Sequence, residues 1–225
     1  NTNSSNNSSG GFEMQTIASG LNAPVDVVSV PDGRLFVAEK AGTVRVVKNG
    51  QLLSEPLLDI NDHVNNGGDR GLLSIAVDPN FTNNGYIYLL YTYALYDIPA
   101  PATNRLTRVQ LNPITADIIT PQVNPNETIL LGSIPQPPGY FGNPPCEAGR
   151  DCMPSDANTH GIGKILFAPD ETIYVSMGDG APAGSANNLA LRAQNIDWMA
   201  GKIFHINKTG KGLSSNPFYN GSLEI

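Results

Sequence analysis

Three times along this chain an apolar alternation runs into a Pro-Asp or Pro-Asn turn and then resumes. The units are PVDVVSVPDGRLFV from Pro24 to Val37, GLLSIAVDPNFTNNGYIYLLY from Gly71 to Tyr91, and the stretch from Thr159 to Asp179. Their turn prolines are Pro31, Pro79 and Pro169, spaced by 48 and then 90 residues, the second interval close to twice 45. A weaker copy fits the gap, since Arg105 to Leu111 alternates and Asn112-Pro113 turns it. A period in the forties with several short strands per unit is the pattern of β-propeller blades, not of a helical solenoid. The remaining strands agree, with β-branched and aromatic alternation in Thr43–Val47 and Tyr86–Tyr91 bounded by Gly, Asn and Pro. Only Asn187 to Ala200 offers a helical turn or two. A β-sandwich uses the same short strands and turns, but the regular period argues against it. The expected fold is all-β, a propeller of which this chain supplies about three to four blades.

A chain of 225 residues buries roughly 70% of its extended surface, enough for a substantial core. The opening Asn-Thr-Asn-Ser-Ser-Asn-Asn-Ser-Ser-Gly-Gly, residues 1–11, reads as a disordered polar leader, and 12–225 as a partial propeller domain. An unclosed propeller leaves a blade face and strand edges bare. The expectation is therefore that further chain, a second chain or self-association completes it.

Thirteen basic against twenty acidic residues give a net charge of −7 without a basic cluster. That disfavours nucleic acid and anionic membrane as partners. The apolar run from Tyr86 to Tyr96 is too short to span a bilayer. Two signals point to an extracellular or periplasmic compartment. Asn-x-Ser/Thr sequons occur at Asn3, Asn6, Asn7, Asn80, Asn126, Asn207 and Asn220, and those at Asn80 and Asn207 sit in expected surface turns. Cys146 and Cys152, with no other cysteine in the chain, suit a local disulfide, which would restrict the unfolded chain by roughly 2 kcal/mol. Two unpaired thiols are the alternative, and a zinc site lacks two further ligands.

In order along the chain stand Gly20-Leu-Asn-Ala-Pro24, Pro31 to Gly42, Asp69-Arg-Gly-Leu-Leu-Ser-Ile-Ala-Val-Asp-Pro-Asn-Phe81, Asn84 to Tyr91, His160 to Asp179, Gly201 to Asn207 and Asn216-Pro-Phe218. This series resembles the glucose/sorbosone dehydrogenase family, over its N-terminal half. The resemblance implies a six-bladed propeller, pyrroloquinoline quinone with calcium as cofactors, and an aldose as substrate. It also implies that His160 is the general base that takes the sugar hydroxyl proton while hydride passes to the quinone. Imidazole suits the task, since it titrates near pH 6.5. Gly161 and Gly163 beside it would let a ligand approach the backbone closely. Apart from the resemblance, a loop histidine bonded to a neighbouring carbonyl is the commoner role for such a residue.

The resemblance places Thr159, Asp69 and Arg70 against the cofactor, and all three depart from the quinone enzymes' pattern. Those enzymes commonly carry an acidic residue where Thr159 stands, and a hydroxyl has no charge to balance an imidazolium. They place a glutamine in the segment that here reads Asp69-Arg70. Phe204-His205 stands where an arginine usually follows, which makes His205 a strand histidine. Asp179 before Gly180 can bind an ion or cap a turn, the commoner role. The oxygen-rich loop Asp59, Asn61, Asp62, Asn65 and Asn66 is tempting for calcium, but its spacing is not that of an EF-hand and reads as a solvated loop, with no role for His63. Tyr86, Tyr88, Tyr91 and Tyr93 are expected largely on one strand face, packing between blades. Two functions therefore compete: a secreted quinone-dependent sugar dehydrogenase, and a non-catalytic, glycosylated extracellular propeller that binds a partner or self-assembles.

Overall fold

The computed structural model describes residues 12–93, 102–111, 122–123, 125–134, 146–184 and 187–219. The leader 1–11, the Asn220 sequon and Asn112-Pro113 lie outside them. Three sheets form. The first contains β1 (Pro24–Ser29), β2 (Leu35–Glu39), β3 (Thr43–Lys48), β4 (Gln51–Leu52) and β5 (Leu58–Asp59). The second is built from β6 (Leu72–Val77), β7 (Tyr86–Tyr93) and β8 (Ala102–Gln110). After β8 the chain returns to the first sheet as β9 (Gln122–Val123), parallel to β5, before β10 (Glu127–Leu131) and β11 (Met153–Ser155) both pair with β8. The third contains β12 (Ile162–Phe167), β13 (Ile173–Met177) and β14 (Ile203–Ile206).

The second sheet lies between the other two, and β7 shows why. Its residues are nearly all buried, because both faces are covered. Ile87, Leu89, Tyr91 and Tyr93 enter one core with Phe36 and Phe81, whereas Tyr88 and Leu90 enter another with Ile165, Val175 and Phe204. Each fully buried side chain of this size contributes about 1.5–3 kcal/mol. The four tyrosines thus do not share a face: Tyr86 and Tyr88 have even numbers, Tyr91 and Tyr93 odd, and strand alternation separates them. Packing between sheets does explain all four. The weak repeat at Arg105 is likewise no separate blade, because Arg105 to Gln110 is the third strand of the second sheet, paired to β7 along its length. The helical signal in 187–200 becomes a 3-10 segment, Asn188–Gln194.

The first strands of the sheets, β1, β6 and β12, lie side by side. A polar clasp joins them. Asp26 Oδ2 accepts from Ser74 Oγ and Ile75 N, both at 2.9 Å, while Ser74 Oγ accepts from Ile165 N at 3.1 Å and Lys164 pairs with Asp26 Oδ1. The clasp joins the strands near their middles, and bonds near their starts show that the chain enters all three at one end of the molecule. At this entry end Asp69 N donates to Asn158 O (2.8 Å) and Leu72 N to Lys40 O (2.9 Å). The Pro31, Pro79 and Pro169 turns lie at the opposite, turn end. These sheets are blades of a partial β-propeller.

Candidate active site

The β12–β13 hairpin builds the site at its open end. Ile162 pairs with Met177, and beyond that pair Gly178 N donates to Gly161 O (2.7 Å) and Gly180 N to His160 O (2.9 Å). This extension sets His160 across from Asp179, with Nδ1 3.2 Å from Oδ1. A carboxylate only accepts, so Nδ1 carries the hydrogen, and in the neutral ring Nε2 is the acceptor. The His160 side chain is 50% exposed, and that of Asp179 27%, so the imidazole is open to a solute while its partner is partly sheltered. Asp179 Oδ1 also accepts from Ala181 N at 2.9 Å. The aspartate therefore caps a turn and faces the histidine.

His160 has φ +53°, a left-handed conformation that costs a non-glycine residue about 1–3 kcal/mol. The surrounding backbone holds it there. A Cβ on Gly178 would stand 2.3 Å from His160 O and 2.9 Å from Gly161 O, so only glycine permits this approach. Of the two glycines after the histidine, Gly163 packs against the hairpin itself, where a Cβ would meet Ser176 Oγ at 2.4 Å. Gly161 faces open space.

Of the residues expected on a cofactor, Thr159 and Arg70 are engaged with protein. Thr159 Oγ1 donates to Ala181 O at 3.0 Å, tying the His160 loop to the Asp179 loop. Arg70 is buried; its Nε donates to Ser155 Oγ (3.0 Å) and its NH2 to Ser155 O (2.7 Å). Burial lowers the Arg70 pKa, against the pull of Asp156. Asp69 is exposed beside Asn158. Asp156 pairs with Arg192, which also lies over the Trp198 ring. Burial pushes the Asp156 carboxyl up, against Arg192 and Arg70, which favour its charge. These contacts bind the loops before β6, before β12 and after β13 into one rim. Lys202 Nζ donates to the Ala193 and Ala200 carbonyls, and burial lowers its pKa.

Other candidates fall elsewhere. His205 stacks on Tyr174 with ring centroids 4.1 Å apart and bonds Thr172 and Asn216. In the 59–66 loop, Asp59 Oδ1 accepts from Asn61 N and Asn65 Oδ1 from Gly67 N, as in ordinary turns. Among the described residues no group of three or more His, Cys, Asp or Glu can hold a metal ion. Cys146 and Cys152 form a disulfide, and Gly149 within its loop donates to Asp197 O at the rim. A cavity of about 620 Å³ opens at the turn end, lined by Tyr86, Arg108, Gln110 and Asn126 among others, and His160 does not line it. Asp179 as the partner of His160 is the residue that motif reading missed.

Fold and site together define a partial propeller with an exposed, carboxylate-paired histidine on a blade hairpin. The sequence matches the Glucose / Sorbosone dehydrogenase family over residues 21–127 and 150–224, and the chain belongs to that family. It is 32% identical to the Hedgehog-interacting protein of Mus musculus over 180 residues, 74% of this chain and 22% of that protein. With quinoprotein glucose dehydrogenase B of Acinetobacter calcoaceticus it shares 26% identity over 231 residues, 93% of this chain and 42% of that one. A solved Thermus thermophilus putative oxidoreductase (glucose dehydrogenase) superposes with a TM-score of 0.67 at 23% identity, covering 92% of this chain and 50% of its own. The PQQ-bound aldose sugar dehydrogenase of Streptomyces coelicolor gives 0.62 at 24%, covering 91% and 50%. At these identities the solved structures speak to the fold. The chain spans about half their length and less than half of the two other relatives. No described helix is long and apolar enough to cross a membrane.

Proposed function

We propose that this chain is the histidine-bearing part of an extracellular or periplasmic sugar dehydrogenase, oxidising an aldose hydroxyl. The observation that carries the reading is His160 Nδ1 at 3.2 Å from Asp179 Oδ1. With Nδ1–H held by the carboxylate, Nε2 takes the hydroxyl proton, and Asp179 balances the imidazolium that results. The carboxylate thus supplies the charge that Thr159 lacks. Pyrroloquinoline quinone, when bound, supplies the acceptor for the hydride from the same carbon. The half-exposed imidazole and the open space at Gly161 suit the reacting edge of such a flat group. Its carboxylates need cations, and Arg70 and Arg192 are engaged with Ser155 and Asp156. Charge neutralisation, and calcium, are then assigned to parts of the fold beyond these three sheets.

The test uses the complete protein with the quinone and calcium, and follows dye reduction by an aldose. His160→Ala is expected to lower turnover by about 10²–10⁴-fold, the usual contribution of a positioned base. Unchanged turnover in a folded variant overturns the assignment.

A second reading rests on the identity to the Hedgehog-interacting protein, 32% against 26% for the quinoprotein enzyme. On it the propeller is a binding module whose entry end, or whose bare sheet faces, takes a protein partner or a second copy. Partner binding that survives His160→Ala, with no quinone titration of the wild type, favours this reading over the first.

A further inference from the structure

Three sequons fall among the described residues, and the topology gathers all of them at one end. β14 runs antiparallel to β13 with Ile206 opposite Ile173 and Ile203 opposite Ser176, so Asn207 leaves the sheet at the turn end. Asn80 lies in the Pro79 turn itself. The two are joined through Lys208, whose Nζ is 3.2 Å from Asp78 Oδ1 and also pairs with Glu171. Asn126 precedes Glu127, which pairs with Val109, which in turn pairs with Ile87 at the start of β7. That places it at the same end, on the cavity shared with Tyr86 and Arg108. His160 lies at the other end of the strands.

Local geometry suits modification. Asn80 and Asn126 are exposed and Asn207 is half-buried. Asn207 Oδ1 accepts from Thr209 N (2.9 Å), Thr209 Oγ1 (2.7 Å) and Lys211 N (3.0 Å). Asn80 Oδ1 accepts from Asn83 Nδ2. In both cases the turn uses the amide oxygen, and Nδ2, the atom a glycan takes, enters none of these bonds. The Cys146–Cys152 disulfide fits the oxidising compartment in which such glycans are added.

We propose that Asn80, Asn126 and Asn207 carry N-linked glycans, which cover the turn end and leave the His160 end open. In each transfer the asparagine Nδ2 bonds the anomeric carbon of a lipid-pyrophosphate-linked oligosaccharide. The glycosyl–phosphate bond breaks, the lipid pyrophosphate leaves, and the amide loses one proton. Nothing in this requires the chain to be an enzyme.

The experiment expresses the full chain through a glycosylating secretory pathway and treats the folded product with an amidase that releases N-glycans and converts the carrier Asn to Asp. Peptide mass spectrometry is expected to find Asp at positions 80, 126 and 207. Thr82→Ala, Thr128→Ala and Thr209→Ala each remove one glycan, whereas Thr82→Ser, Thr128→Ser and Thr209→Ser restore it, which separates lost modification from lost folding. Carbethoxylation of His160 is expected at the same rate before and after glycan release. Unmodified asparagines in the secreted, disulfide-bonded protein overturn the sites. A His160 rate that rises on release overturns their placement opposite it.

Discussion

His160 Nδ1 and Asp179 Oδ1 lie 3.2 Å apart although 19 residues separate them in sequence. The hairpin between them folds about the Pro169-Asp170 turn, so the two positions meet across its open end. Asp179→Asn keeps an oxygen that can accept from Nδ1–H but removes the charge that balances a protonated imidazole. Because the pair is half in solvent, screening keeps the effect modest. Turnover of the complete protein is expected to fall about threefold to tenfold, which corresponds to roughly 1 kcal/mol for an exposed pair. The deficit relative to wild type should shrink as salt is raised; a deficit independent of ionic strength argues against an electrostatic role.

Three glycines at this hairpin have different jobs, and alanine separates them. Gly178→Ala drives a Cβ into the His160 and Gly161 carbonyls, which are backbone and cannot rotate away. A loss of about 1–3 kcal/mol in denaturant unfolding is expected, together with loss of activity as His160 is displaced. Gly163→Ala meets only the Ser176 hydroxyl and should cost less, chiefly by breaking the bond from Lys164 N to Ser176 Oγ. Gly161→Ala meets nothing, so stability should stay within about 0.5 kcal/mol. If a ligand lies against this backbone, the same variant weakens its binding. Equal stability with equal ligand affinity places the ligand elsewhere.

The blades were legible because the strand period and the Pro-Asx turns are local signals, and turns fix hairpin register. The same logic contained Asp179. Leu166 pairs with Tyr174 and Phe167 with Ile173 about that turn, and continuing the count to the hairpin's open end reaches the 160–179 neighbourhood. The irregular register between Ile162 and Ile165 shifts the pairing by one and brings those residues opposite each other. Motif comparison looked instead at the residue adjacent in sequence, Thr159. Arg70 was harder to read, because its burial depends on a Ser155 contact 85 residues away. Composition and spacing carry no signal for such a contact. The misplaced Tyr91 and Tyr93 were legible from parity alone, since a strand with both faces buried gives no polar alternation to count by.

At the turn end, Asp78 is buried and accepts from Asn80 N, Tyr88 Oη and Lys208 Nζ. Burial by itself raises its pKa, but these bonds and one from Asn84 outweigh it and hold the carboxyl below the ordinary range. A carboxyl with a depressed folded pKa contributes stability above its unfolded value, near 3.9, and loses it as pH falls through the folded value. Unfolding free energy should therefore drop below about pH 4. Asp78→Asn should flatten this acid limb and cost about 1–3 kcal/mol at neutral pH, since buried donors lose their charged acceptor. An unchanged acid limb assigns the titration to other carboxylates.

Arg192 and Asp156 form the most buried ion pair at the rim, with side-chain exposures of 10% and 3%. Taking two charges from water is costly, and the pair offsets that cost only while both members are present. Arg192→Ala leaves the Asp156 carboxylate with Arg70 as its remaining cation and should destabilise the protein by about 3–5 kcal/mol. It also removes the guanidinium from the Trp198 face, so Trp198 fluorescence reports the local change independently of global unfolding. Replacing both partners, Arg192→Met with Asp156→Leu, removes the orphaned charge and should recover much of the loss. Recovery of stability without recovery of sugar oxidation or partner binding would identify the pair as the element that holds the His160 loop in register with the loop after β13. A double variant no more stable than Arg192→Ala would show that cavity formation, not the stranded charge, sets the cost.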